Sequence, residues 1–475
     1  MQFVSWGFLL FLPVVVLLNF IIPRKYRYIW LFVTSAFFYL SLDLKAVAVM
    51  AVSVVLTYFE GILLGRLLEG KSVEGKKNGA GEKVLLAASI AVDVVLLLVF
   101  RAGSILGAIG ISFYMLKAIG YLVDVYRGDV KAEKNFIKLA LFVSFFTQVV
   151  SGPIERAGNM LPQFSYPVTV DFYRLRDGLL QMLWGYILKL VIADRLAIFV
   201  NSVYGSPADY PGTIVFIGTL FYTFEIYCDF AGYSHIAIGA SRILGIDVIQ
   251  NFDSPYMSAS IAEFWRRWHI SLSSWLRDYI YIPLGGNRKG VVRKYINILI
   301  VFSVSGIWHG TALTFLVWGI LHALYQIIGY VLKPARDKLV EILKIDRNSF
   351  SHRMVKVVIT FLLVNFAWIF FRADSLSTAL LVIRKCFEFT PWVYSDGSIY
   401  KLGLNSPNFI LANLGILGLA IADFISYRDI ELREKLLAQG FWLRWIVVII
   451  GVLLVFICGI WGPGYDAATF IYQQF

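Results

Sequence analysis

"EFWRRWHISLSSWLRDYIYIPLGGNRKG" fills residues 263–290 and carries five charges in its first sixteen positions: Glu263, Arg266, Arg267, Arg277 and Asp278. Just before it, Ser260-Ile-Ala-Glu263 forms a capping box, which predicts a helix starting near residue 261. Phe264, Trp265, Trp268, His269, Leu272, Trp275, Leu276 and Tyr279 then recur at helical spacing as one wide apolar stripe. Arg266, Arg267, Ser271, Ser274, Arg277 and Asp278 fall largely off that stripe, and Pro283, Gly285 and Gly286 stop the helix. A charge at mid-bilayer opposes insertion by roughly 2.5–3.5 kcal/mol, so this helix does not face lipid as a span. It lies at the interface or lines a polar cavity inside a bundle. The simpler alternative is an interfacial anchor, with tryptophans at headgroup level and arginines on phosphates. His269 argues against it, because a polar group on the buried face needs a partner or a purpose.

The surroundings of that helix set the fold class. The chain has 475 residues, 59% of them hydrophobic and 16% charged, with a mean hydropathy of +0.72. Soluble domains carry roughly 45–50% apolar residues. The composition predicts an all-α polytopic membrane protein, a single integral unit over residues 1–475. The net charge of +12 reads as Lys and Arg held at cytoplasmic helix ends, not as a nucleic-acid surface. Cys228, Cys386 and Cys458 make neither a disulfide framework nor a zinc pattern. The first apolar run, Trp6 to Ile22, lacks a basic segment before it and is read as a retained helix.

Candidate membrane helices lie near 6–22, 28–42, 45–65, 83–100, 107–126, 136–152, 178–200, 212–244, 295–308, 311–332, 355–371, 374–388, 406–426 and 443–461. About eleven of these are expected to span. The 212–244 run invites a break at Asp229–Gly232, and 107–126 and 295–308 read as short or re-entrant. The first three loops carry three, one and five positive charges, which places the N-terminus outside the cell. The third of them, "EGKSVEGKKNGAGEK", is rich in Gly and Lys and reads as flexible.

A second stretch, "SVSGIWHGTALTFLVWGILHALYQ" (303–326), sets His309 after Trp308 in a membrane-type run, with His322 thirteen residues on. An intramembrane ionisable residue is a functional candidate; the plain alternative is a histidine bonded to a neighbouring helix. In one helix His309 and His322 would stand about 20 Å apart, too far for a shared metal. An imidazole in apolar surroundings suits proton abstraction from a hydroxyl or thiol. Gly306 and Gly310 would let a substrate approach the backbone closely.

The block 251–290 followed by "GIWHG" (306–310) resembles the membrane-bound O-acyltransferases, within them the bacterial alginate O-acetyltransferase branch. "GISFYMLKAIGYLVDVYRGD" (110–129), "SGPIERA" (151–157), "KLVIADRLA" (189–197) and "CDFAGYSHIAIGAS" (228–241) extend the similarity. The resemblance implies a ring of about eleven helices around a central tunnel, with re-entrant helices and a catalytic core near 107–372. It implies His309 as the catalytic histidine and His269 as its partner. Arg266, Arg267, Trp265, Trp268, Trp308, Arg277 and Asp278 would form the tunnel wall, His322 being a secondary candidate. Arg266 and Arg267, with Arg288 and Lys289 as further candidates, would favour an anionic donor such as acetyl-CoA. No bound cofactor or metal is implied. His235 stands where the alginate-type pattern often has Asp, and reads as a helix-end histidine.

The expected activity is therefore transfer of an acyl group, acetyl first, from a cytoplasmic donor across the membrane to an exported or cell-surface polysaccharide. Alternatives are D-alanyl transfer to teichoic acid, a transporter or flippase in polysaccharide export, and a scaffold for a polysaccharide synthase. The expected setting is the cytoplasmic membrane. Expected partners are membrane lipid and a separate extracellular or periplasmic protein that takes on the acetyl group, docking near 389–405.

Overall fold

The computed structural model describes residues 1–72, 79–102, 110–150, 152–166 and 169–461. These residues form helices joined by turns and irregular segments, with no strand among them. Contacts gather into two compact units, Met1–Gly185 with Tyr233–Gln250, and Tyr186–Gly232 with Asn251 onward. Residues 73–78 of the glycine- and lysine-rich loop, 107–109 of the expected 107–126 helix and Ser151 of "SGPIERA" lie outside the described residues.

The first unit holds α1 (Trp6–Ile21), α2 (Arg27–Leu40), α3 (Leu44–Ser72), α4 (Ala80–Ala102), α5 (Ile111–Arg127), α6 (Phe136–Ser144), α7 (Ala157–Gln163) and α8 (Phe172–Tyr186), which reaches its edge. Rings of Phe3, Phe8, Phe38 and Phe146 interlock in its core at 4.9–6.2 Å. The expected 136–152 span is instead the nine-residue α6. Beyond it the Phe146 amide donates to the Ser35 hydroxyl at 3.2 Å, so the backbone turns onto α2 instead of continuing as helix.

In the second unit a π turn (Ile187–Ala193) leads into α9 (Asp194–Gly205) and then α10 (Gly212–Ile243), whose residues divide between the two units. There follow α11 (Ile261–Arg267), α12 (Ile270–Leu276), α13 (Val291–His309), α14 (Leu313–Val331), α15 (Lys333–Ile342), α16 (Phe350–Arg372), α17 (Leu376–Cys386), α18 (Ser406–Tyr427), α19 (Leu432–Leu437) and α20 (Phe441–Cys458). The break expected at Asp229–Gly232 does not occur. Asp229 meets the Lys189 ammonium at 2.6 Å, and a paired charge lets a buried helix run on. The run expected to be short or re-entrant at 295–308 is the 19-residue α13, which begins directly after Gly290.

Eight described helices, α3, α4, α10, α13, α14, α16, α18 and α20, are long and apolar enough to cross a membrane. The protein is a multi-pass membrane protein. Several expected spans are shorter. With 14–17 residues, α1, α2 and α5 rise only about 21–26 Å, against a hydrocarbon core of about 30 Å. At 11 residues α17 is too short to cross.

Candidate functional site

The opening stretch folds as two short helices, not the one expected. Ser260 caps α11 by accepting from the Glu263 amide at 3.2 Å, and Glu263 reaches back to the Ala259 amide at 3.0 Å. After Trp268 the helix breaks. The Asn251 carbonyl takes the Ile270 amide at 2.9 Å, and Asp253 donates its amide to the Arg267 carbonyl at 3.0 Å. Between them His269 sits in the left-handed region at φ 43°, a conformation costly for a residue with a Cβ. The stripe survives the break as far as Leu276: Phe264, Trp265, Trp268, His269, Leu272, Trp275 and Leu276 are buried, while Tyr279, its expected last member, is only half-buried. Ser271, expected off the stripe, is buried as well, because the kink resets the helical phase.

His269 meets Phe230 edge to face with ring centroids 4.6 Å apart, and Trp308 at 6.2 Å. Its Nδ1 lies 3.4 Å from the Ser271 hydroxyl. Burial pushes this imidazole below its ordinary value, favouring the neutral ring.

His309 ends α13 and is also buried. Trp308, Trp318 and Phe371 surround it at 4.8–5.2 Å between ring centroids. Both histidines thus touch Trp308, from α13 and from the α11–α12 kink. His322 stands not on the same helix but on the neighbouring α14, sharing Trp318 with His309. Trp265 Nε1 donates to His322 Nδ1 at 3.2 Å. The backbone at Gly306 and Gly310 is not open to a substrate. A Cβ at Gly306 would meet the Phe315 carbonyl, and one at Gly310 the Phe315 ring. These glycines let α13 and α14 close together, as small residues do between membrane helices.

The two arginines of α11 part company. Arg266 is exposed. Arg267 is held by Asp253 at 2.7 Å and Glu263 at 3.3 Å, and its guanidinium lies 4.6 Å from the Tyr427 ring centroid. Trp268 is fully buried against Trp368 at 5.1 Å. Arg277 pairs with its neighbour Asp278 at 2.8 Å on the exposed side. His235, expected at a helix end, lies instead within α10, in the first unit, with Nδ1 3.5 Å from the Gln181 amide.

Two groups escaped the sequence reading. Trp318, Trp368 and Phe371 frame the histidines but look like ordinary apolar positions. Lys189, fully buried, bridges Asp194 at 2.7 Å and Asp229 at 2.6 Å. A lysine five residues before an aspartate does not face it on an α-helix; the π turn between them makes it do so. The available signal was a lysine inside an apolar run.

The profile of the membrane-bound O-acyltransferase family matches residues 130–370. The chain is 34% identical to a probable alginate O-acetylase AlgI of Pseudomonas fluorescens, over 89% of this chain and 83% of that one. It is 30% identical to a peptidoglycan O-acetyltransferase of Helicobacter pylori, over 75% and 73%. It is also 30% identical to a teichoic acid D-alanyltransferase of Bacillus subtilis, over 46% and 58%. A match to the family profile over half its length, with this similarity to O-acetylases along most of it, makes the chain a member of the membrane-bound O-acyltransferase family and an O-acyltransferase.

Proposed function

We propose that this chain takes an acetyl group from acetyl-CoA on the cytoplasmic side and passes it across the membrane for O-acetylation of an exported or cell-surface polysaccharide. The observation that carries this is the placement of two buried histidines, His309 and His269, on one tryptophan, Trp308, in an aromatic surround that excludes water. Similarity to proteins named for alginate and peptidoglycan O-acetylation supports a glycan as final acceptor.

In this reading His309 takes the proton of the attacking hydroxyl as its oxygen bonds to the thioester carbonyl carbon. The carbon–sulfur bond then breaks and the proton passes to the CoA sulfur. Ester and free CoA leave, and the imidazole is neutral again. His269, fixed by the kink, orients the pair or stabilises developing charge. Trp265, Trp268 and Trp308 wall the reaction space. The short α11 and α12, too short to span, suit re-entrant helices at the floor of a tunnel inside a ring of about eleven helices. The N-terminus lies outside, in the cytoplasmic membrane, and a separate exported protein carries the group to the polymer.

A second reading, D-alanyl transfer to teichoic acid, draws on the similarity to D-alanyltransferases over about half of this chain. The two differ in donor. Purified protein in proteoliposomes is given labelled acetyl-CoA or a D-alanyl carrier-protein thioester. Acetyl-CoA turnover that His309→Ala lowers about 10²–10⁴-fold supports acetyl transfer. A residual rate within a factor of three of wild type removes His309 from the mechanism, and turnover of the carrier thioester alone replaces acetyl by D-alanyl.

A further inference from the structure

Two cavities of the first unit meet beside the C-terminal end of α1. One, of about 550 Å³, is polar, with Asn159, Gln163, Asp171, Arg174 and Asp247 in its lining. The other, of about 480 Å³, is an apolar groove between α1 and α8, walled by Leu12, Val16, Leu17, Phe20, Leu175 and Leu179. Thr169, Asp171, Arg174 and Gly245 line both, so the polar mouth runs on into the groove. Hydrogen bonds fix the mouth in place. Arg174 grips the Asp247 carboxylate at 3.1 and 2.8 Å, while Gln163 donates to the Asp247 carbonyl at 2.9 Å and accepts its amide at 2.8 Å. The buried Nε donor of Arg174 has no acceptor among the described residues, so the guanidinium keeps capacity for an anion. The groove is open to the side, with Leu17, Ile21 and Leu179 more than half exposed.

A site that is polar at one end and apolar along its length fits an amphipathic molecule. From Leu12 to Ile21 the helix rises about 14 Å, close to half of a hydrocarbon core of about 30 Å. The groove is therefore one leaflet deep. Its volume argues against a helix of another protein. At a diameter of about 10–12 Å and 5.4 Å per turn, such a helix would fill the groove with about one turn. A slender, flexible acyl chain can run its whole length.

Charge selects among lipids. Arg174 and Arg242 stand at the polar end of the groove, and Arg24, Lys25 and Arg27 directly follow α1. The Arg27 guanidinium lies 5.9 Å from the ring centroid of Phe20, in the groove wall. Against these five cations stand Asp171 and Asp247, an excess of three positive charges. In the proposed orientation this end of α1 is cytoplasmic, where the membrane surface is anionic. We infer that α1, α8 and the end of α10 form a binding site for an anionic phospholipid of the inner leaflet. Its phosphate sits at the mouth by Arg174 and Arg242, and one acyl chain lies along α1. His309 and His269 belong to the other unit, so this assignment stands or falls apart from the acetyl-transfer reading.

The test uses the full chain in mild detergent, titrated with phosphatidylglycerol or phosphatidylcholine of the same acyl chains and read by native mass spectrometry. Wild type should hold phosphatidylglycerol at least about fivefold more tightly, as one basic residue at an anionic headgroup is enough to give. Arg242→Gln and Arg27→Gln should each weaken phosphatidylglycerol about fivefold, while Lys338→Gln on α15 changes nothing. Leu17→Trp, at an exposed position where the fold tolerates bulk, should fill the groove and displace both lipids. Phosphatidylglycerol with a photoreactive acyl chain should label α1 and α8, and Leu17→Trp should remove that label. Equal binding of the two lipids by wild type overturns the headgroup assignment. Label spread evenly over the apolar helices, or binding unchanged by Leu17→Trp, overturns the groove. Displacement by inorganic phosphate would show an anion site that needs no lipid and overturns the assignment as well.

Discussion

The indole nitrogen of Trp265 donates to Nδ1 of His322 across 3.2 Å, joining α11 to α14 inside a cluster of buried rings. That bond requires an unprotonated Nδ1, so His322 carries its proton on Nε2 and is neutral. A neutral histidine that accepts from a tryptophan is a packing element. His322→Ala should therefore lower stability by about 2–5 kcal/mol, as large-to-small core changes do, while acyl transfer by the folded fraction stays within tenfold of wild type. Thermal unfolding in detergent read beside turnover checks this. A loss of activity as deep as that of His309→Ala, at unchanged stability, would make His322 part of the chemistry.

The left-handed backbone at His269 gives a test that separates ring from conformation. Asn tolerates that region, and Gly adopts it freely. His269→Asn and His269→Gly should keep the fold but lose transfer, the latter by at least 10²-fold. His269→Val should unfold, since a β-branched residue there adds about 1–3 kcal/mol of strain to the lost packing. Full activity in His269→Gly would leave His269 with a structural role alone.

Lys189 holds two buried carboxylates, Asp194 and Asp229, and all three are about 1–3% exposed. Removing the cation between them should destabilise the protein by about 3–5 kcal/mol. Lys189→Met is thus expected to lose most of its folded yield. Combining Lys189→Met with Asp194→Asn and Asp229→Asn should recover much of it, because no uncompensated charge is left. Equal yields of Lys189→Met and wild type would show that the carboxylates are protonated and need no partner.

Arg266 and Arg267, one motif in the sequence, should behave differently. Arg266 is exposed, and Arg266→Glu should raise the donor KM at low salt, with the effect fading as salt screens it. Arg267 is committed to Asp253, Glu263 and Tyr427, so Arg267→Glu should lower stability by about 2 kcal/mol along with any change in KM. Matching salt-dependent KM shifts in both, at full stability, would restore them as a pair of donor-attracting charges.

Much of this was legible in one sequence, and the failures have a common cause. Apolar runs located the long helices, because a bilayer demands length and hydrophobicity that composition displays directly. The stripe on residues 264–276 foretold the buried apolar side chains there, though not the buried Ser271. What periodicity could not display was backbone that leaves the α-helix: the kink at His269, the π turn at Lys189 and the turn after Ser144. Each is fixed by a hydrogen bond or ion pair to a residue distant in the chain, from Asn251, Asp229 and Ser35 respectively. Local pattern carries no trace of such partners. The glycines of "GIWHG" misled for the same reason, since their space is filled by Phe315 of the next helix.

The link between α17 and α18 bears on how far this chain carries the acyl group. Phe387 and Phe389 are 86% and 81% exposed, and Trp392 and Tyr394 more than half exposed. The strip is anchored, not slack: Thr213 and Thr390 exchange amide-to-hydroxyl hydrogen bonds at 3.1 and 2.9 Å. In the proposed orientation, its scarcity of Lys and Arg places it on the outer side. Exposed aromatics on a fixed backbone suit protein docking, where Trp and Tyr dominate binding energy. Among the described residues the polar stretches are short, and none forms a separate folded unit beside the helices. Proteoliposomes holding this protein alone, with acetyl-CoA inside, should therefore fail to acetylate soluble polysaccharide outside. Adding the exported partner protein should restore transfer, and Phe389→Ala with Trp392→Ala should weaken that rescue at least tenfold while leaving acetyl-CoA affinity unchanged. Efficient polymer acetylation by the purified chain alone would make it a complete polysaccharide acetyltransferase and leave the aromatic strip as a membrane-interface anchor.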